Sequence, residues 1–136
     1  MTRRVEPPSG SPPPRSATLA GRTIDIATLA ETVADRYFEE FPDDLRRYGD
    51  AARAWELHDT AHCLQWAVLD VEGWYDIGRQ VAWLREVLRA RGFPVERLAR
   101  NLELAADVVQ DRVAPDGASL AARLRSAAET ARAPAA

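Results

Sequence analysis

VAWLREVLRARGFPVERLARNLEL, residues 81–104, decides the fold. Its first half carries Val81, Leu84 and Leu88 at spacings of three and four, the period of one face of a helix. RARGFP, residues 89–94, then reads as a stop. Arginines in the last turn suit the carbonyl end, Gly92 can take the left-handed conformation, and Phe93 can fold back onto the apolar side. Pro94 cannot prolong that helix but suits the first turn of another. The second half resumes the period with Val95, Leu98 and Leu102, continued by Ala105 and Val109. The stretch therefore predicts two amphipathic helices separated by a short break.

The same logic extends in both directions. Towards the N-terminus, Ile77 adds to the stripe of a helix predicted over 74–91, and Gly73 breaks it from a long helix over 50–71 that Asp50 caps. Before that, Ile26, Leu29, Val33, Tyr37 and Phe41 form the face of a first helix starting near Thr23 and ending at Phe41-Pro42. Residues 42–49 read as a short helical turn with Leu45 and Tyr48 pointing inward. Towards the C-terminus, Pro115-Asp116-Gly117 is a turn, and a weaker Ala-rich helix follows over 118–132, anchored by Leu120 and Leu124. No segment alternates with a period of two, so no strand is expected. The fold class is all-α: four to five helices in a bundle or a globin-like array. Residues 23–133 form a single domain. Residues 1–22, rich in Pro, Ser and Arg, read as a disordered tail.

Composition limits the function. The chain has 136 residues and a formal charge of −3, and every one of its 18 basic residues is Arg. From residue 23 onward 14 Arg face 20 Asp plus Glu. An acidic body argues against nucleic acid and against an anionic membrane surface, both of which need an excess of basic residues. One cysteine, Cys63, excludes an intramolecular disulfide and Cys-rich zinc frameworks. With no apolar run of membrane-spanning length and no signal-peptide core, the cytoplasm is the expected location.

WELHDTAHCLQW, residues 55–66, is the chemically richest stretch. On a helical wheel Leu57, Ala61, Leu64, Val68 and Val71 make one stripe. Trp55, His58, His62, Trp66 and Leu69 make a second, while Glu56, Asp59, Cys63 and Asp70 fall in a third sector. A surface helix needs one apolar face, and the second asks for a ligand, a partner or more core. His58 and His62, four apart, have the spacing that chelates zinc or iron. HDTAH nevertheless departs from the HExxH of zinc peptidases: Asp59 is shorter than the Glu that serves there as base, and no third histidine exists. Trp55 and Trp66 could stack on a flat, tetrapyrrole-like ring that His58 or His62 would ligate or hydrogen-bond. Alternatively all four pack in a core or an interface. Cys63 and His62 are sequence neighbours and do not face each other on a helix, which argues against a nucleophilic pair. Outside the stripe of the next helix, Trp83 and Val87 suit a docking patch or a core that extends round the helix. Arg85, Arg89 and Arg91 read as a solvated face that could meet an anion.

RYFEEFPDDLRRYGDAARAWELHDTAHCLQW, residues 36–66, together with residues 81–104, resembles the small helical module that precedes cobalamin-binding domains in bacterial regulatory proteins. The shared elements are an aromatic first helix, a YG turn, an Asp/His-bearing helix, a WL helix ending in RG-x-P and a Leu-rich last helix. The cobalamin-ligating D-x-H-x-x-G pattern is missing. The resemblance therefore implies a regulatory or sensory helical module and no corrinoid binding by this chain. The expected function is a non-catalytic module that associates with a protein partner or a second copy, with no cofactor implied. The alternative is a small-molecule or metal sensor centred on His58 and His62.

Overall fold

The computed structural model describes residue 8 and residues 10–133. It is all-α: helices α1 (Ile26–Glu40), α3 (Ala52–Val71), α4 (Ile77–Ala90), α5 (Val95–Arg112) and α6 (Gly117–Arg132), with a short α2 (Asp43–Tyr48) and a 3-10 turn at Gly49–Ala51. Among the described residues no helix is long and apolar enough to cross a membrane. The break at residues 89–94 has the expected geometry. Gly92 has φ +77, its N–H reaches Arg89 O at 3.0 Å and Phe93 N reaches Leu88 O at 2.9 Å, the two bonds of a Schellman cap. Trp74 N to Leu69 O and Gly73 N to Asp70 O repeat the motif at the end of α3.

The structure differs from the sequence reading at several places, each with a local cause. Ala17–Leu19 and Arg22–Ile24 form an antiparallel hairpin, β1 and β2, where a tail running to residue 22 and no strands were expected. Ala20 and Gly21 both have positive φ, as a two-residue primed turn requires. Leu19 and Ile24 are buried in the core, which pins the hairpin down. Strands of three residues are too short to show an alternating pattern. The expected disorder over residues 1–7 and 9 lies outside the described residues. Thr23 is therefore a strand residue, and Asp25 caps α1 by accepting from Thr28 N at 3.1 Å. That hydrogen bond holds the Asp25 carboxyl below its ordinary pKa. Asp50 lies inside the 3-10 turn, and α3 has no side-chain cap. Helix α4 starts at Ile77, not Trp74. Asp76 caps it, and Asp70 from the preceding helix accepts Ile77 N at 2.8 Å. Trp74 is left 76% exposed. Leu45, expected inward, is 45% exposed, because α2 turns Asp44 inward instead.

The core runs through α1, α3, α5 and α6, with Ile26, Val33, Leu102, Val108, Leu120 and Leu124 fully buried. The Ala-rich helix is not peripheral. Its Ala121, Ala127, Ala128 and Ala131 are buried, and α6 makes its largest interface with α5 while also touching α3 and α4. The small side chains let the backbones approach closely. At Gly117 a Cβ would lie 2.5 Å from Val109 O, so only glycine fits. Charged side chains bridge the helices. Arg132 joins Glu96 and Glu103, Arg100 joins Glu40, and Arg85 donates to Thr130 O and Ala133 O at the end of α6.

Candidate functional site

Helix α3 carries both the predicted histidine face and a site that the sequence did not announce. The histidine face is a ladder. Trp55 meets His58 edge-on at 5.5 Å between ring centres, His58 meets His62 at 4.7 Å, and His62 meets Trp66 at 6.3 Å. All four are half-buried, with Trp66 packed against the core. His58 Nδ1 lies 3.0 Å from Asp59 Oδ1. Burial, then the neighbouring His58, lowers the pKa of His62 and favours its neutral form. Among the described residues no three His, Cys, Asp or Glu side chains come together as a metal-holding group. The ring edges of the ladder are occupied with one another. The sector assigned to Glu56, Asp59 and Cys63 faces inward at Cys63, which is sealed in the core beside Ala67. Burial pushes its thiol pKa up, so it is poorly suited as a nucleophile.

One residue of the ladder, Trp55, also lines a cavity of about 470 Å³ between α1, α2, α3, the end of α4 and the start of α5. His58, His62 and Trp66 do not line it. The cavity has an aromatic part, made by Phe38, Tyr48, Trp55 and Phe93, and a polar part, made by Tyr37, Asp44, Glu56, Asp59, Arg97 and Asn101. Its volume and mixed lining are those of a pocket for a small organic molecule. Tyr48 and Phe93 sit 5.9 Å apart, so the Phe93 that folds back after α4 builds one wall. Arg91 lies over the Trp55 ring at 5.5 Å.

The polar part is organised from three helices. Tyr37 on α1 donates a short hydrogen bond to Asp44 on α2, and Arg97 on α5 donates to Asp44 Oδ1 at 2.6 Å and to Asp43 Oδ2 at 2.9 Å. Asp44, only 2% exposed, is thereby fully paired. Its presence and the burial of Tyr37 raise the phenol pKa, burial being the larger cause. Beside this pair runs a chain of donors. Asn101 Nδ2 donates to Thr60 Oγ1 at 2.9 Å, and Thr60 Oγ1 donates to Glu56 Oε2 at 3.1 Å. Asn101 is 6% exposed and its Oδ1 has no hydrogen-bond partner. Among the described residues no cation lies within ion-pairing distance of Glu56. Glu56 is half-buried and lines the cavity. That burial raises its pKa well above the ordinary carboxylate range.

Tyr37, Asp44, Glu56, Thr60, Arg97 and Asn101 were all missed as site residues by the sequence reading. Two signals were present. Asn101 interrupts the apolar face of α5 between Leu98, Leu102 and Ala105, and Thr60 does the same beside Cys63 and Ala67 on α3. Trp83 of the proposed docking patch is 60% exposed and so lies outside the core, while Val87 is half-buried. Arg85, Arg89 and Arg91 do not act together: Arg85 binds α6, Arg89 pairs with Glu86, and Arg91 covers Trp55. No protein-family model, curated protein or solved structure matches this chain.

Proposed function

We propose that this helical domain binds a small organic molecule in the cavity between α1, α2, α3, α4 and α5. One observation carries the reading. The cavity is lined by Glu56, a carboxyl without a cation, and by Asn101, whose Oδ1 is buried without a partner. Buried polar groups are almost always satisfied, and each exception asks what satisfies it. A perturbed carboxyl inside an apolar-walled pocket is a recurrent mark of a binding site. The site thus lies next to the histidine face and shares Trp55 with it. The one thiol is sealed in the core and offers no nucleophile to the cavity. A ligand in this place would touch five elements at once, which suits the regulatory role that the resemblance to the cobalamin-associated module implies.

The test is ligand-observed NMR with a library of small aromatic and alkyl compounds. Ala52 lines the cavity, and Ala52→Phe should fill it. Compounds that bind the wild-type protein should be lost in Ala52→Phe, with helicity by circular dichroism unchanged. Binding that survives both Ala52→Phe and Trp55→Ala would place the ligand elsewhere and overturn the reading.

A second reading rests on a separate observation. Trp83 is 60% exposed on α4, and exposed tryptophan is unusual away from interfaces. Association with a protein partner or a second copy through Trp83 and Val87 would cover it. Sedimentation of the wild type against Trp83→Ala tests self-association. Two monomers at high concentration would leave no role for this face in a homodimer.

A further inference from the structure

The cavity's charges indicate what it accepts. Resting on the reading of the cavity as a ligand site, we infer that its occupant is an organic cation: a primary amine on an apolar body, with the ammonium at Glu56 and the body among Tyr48, Trp55 and Phe93. Three observations support this. First, Glu56 lines the cavity with one oxygen engaged by Thr60 and one without a hydrogen bond from any described residue. An ammonium carries three donors and no acceptor, so it can serve that oxygen and offset its charge. Second, the charge balance is open on the negative side. Asp44, Glu56 and Asp59 face the cavity from α2 and α3, and Arg91 and Arg97 face it from α4 and α5. Arg97 is bound to Asp43 and Asp44, and Asp59 is bound to His58. Arg53, from α3, is paired with Asp35. Ionised Glu56 is then the carboxylate without a contact cation, and a cationic ligand would supply one. Third, the walls are aromatic, which suits the apolar body of such an amine.

Binding of the amine takes up ionised Glu56. At a pH where free Glu56 is protonated, binding releases that proton, and the affinity rises as pH increases until Glu56 is ionised in the free protein. Tyr37, which faces the cavity from α1, stays protonated throughout this range, because burial and Asp44 raise its pKa.

The probes are three molecules of one shape: phenethylamine, 2-phenylethanol and 3-phenylpropionate. Binding is measured by isothermal titration calorimetry and by Trp fluorescence on the full chain, between pH 5 and 8. The amine should bind at least about tenfold more tightly than the alcohol, the usual scale of a charge-assisted hydrogen bond against a neutral one. The propionate should not bind measurably. Glu56→Gln keeps the acceptor for Thr60 and removes the charge. It should erase the amine's advantage and its pH dependence while leaving the alcohol's affinity within about twofold, a few tenths of a kcal/mol. If the alcohol or the propionate binds as tightly as the amine, the cavity is a ligand site but not for a cation, and the inference fails alone. If none of the three binds at millimolar concentration, the inference and the reading of the cavity as a ligand site fail together. Amine binding that Glu56→Gln leaves unchanged would also overturn the inference.

Discussion

Replacing Asn101 by Leu should stabilise the protein. The two side chains branch at the same atom and have similar size, so the substitution is close to isosteric in a site that is 94% buried (6% exposed). Deleting a buried carbonyl that has no partner recovers about 1–3 kcal/mol of desolvation. Losing the Asn101 to Thr60 hydrogen bond costs about 1 kcal/mol. Thr60 still donates to Glu56, so no new orphan donor is created. Two methyl groups added among Leu98, Leu102 and Ala105 contribute about 1 kcal/mol more. The net is a gain of about 2 kcal/mol. Urea unfolding should show it as a midpoint shifted up by about 1 M at an unchanged slope of about 2 kcal/mol/M. Thermal unfolding should show it as a rise of roughly 5–10 °C in Tm. The same variant should lose ligand. Retaining a less stable residue where a more stable one fits is the trade expected at a binding site. A loss of 1 kcal/mol or more in Asn101→Leu would refute the reasoning, because it would mean that the carbonyl is satisfied and that the amide serves the fold.

Other outcomes follow from the same structure. Glu56→Gln should flatten one component of the pH dependence of stability. The folded-state pKa of Glu56 lies above its unfolded value, so its folded form binds more protons between the two, and wild-type stability falls as pH rises from about 4.3 through the folded value. The stability difference between Glu56→Gln and wild type should grow with pH over that window. Carboxyls held low by hydrogen bonds, such as Asp25 and Glu40, are shared by both proteins and cancel. Gly117→Ala should cost about 1–3 kcal/mol in denaturant unfolding, since its Cβ would press on Val109 O at 2.5 Å. An unchanged midpoint would mean that α5 and α6 can move apart freely. Cys63 should react with a thiol reagent only after denaturant is added, and modification at the free-thiol rate in buffer would contradict its burial.

The long helices were legible because each carries its own period and its own punctuation. RARGFP holds the whole of a helix stop within six residues, and the bonds at Gly92 and Phe93 follow from it. The misreadings share a cause. The hairpin at residues 17–24 has strands of three residues, too few for a pattern, and its hold on the core depends on Leu19 and Ile24, which are distant from the partners they meet. Leu45 and Asp44 exchange places because a six-residue helix has no moment of its own. Its orientation is set from outside, by Tyr37 on α1 and Arg97 on α5. The Ala-rich helix looked marginal because alanine carries little apolar area. Against α5 that small size is the advantage, since it lets the two backbones come close, as at Gly117.

The site was hidden for a related reason. WELHDTAHCLQW drew attention because its histidines and tryptophans are conspicuous in one dimension, yet its rings mostly pack on one another along α3. The residues that build the cavity's polar part are less conspicuous. Asp44 is one acid in a short acidic turn, Thr60 one hydroxyl in a long helix, and Asn101 one amide in a Leu-rich face. Each is a small violation of a helix's apolar pattern, and a single violation signifies little. Their meaning lies in the fact that they converge. Three helices each give up a core position to a polar residue: Asp44 and Asn101 line one cavity with Tyr37, Arg97 and Glu56, and Thr60 is hydrogen-bonded to two of those residues, Asn101 and Glu56. A core satisfied only by packing would have no reason to place its exceptions together. Departures from local rules that coincide in space are what a functional site is expected to leave in a sequence. Here the coincidence involves residues up to 64 positions apart, from Tyr37 to Asn101, and so becomes visible only after the chain has folded.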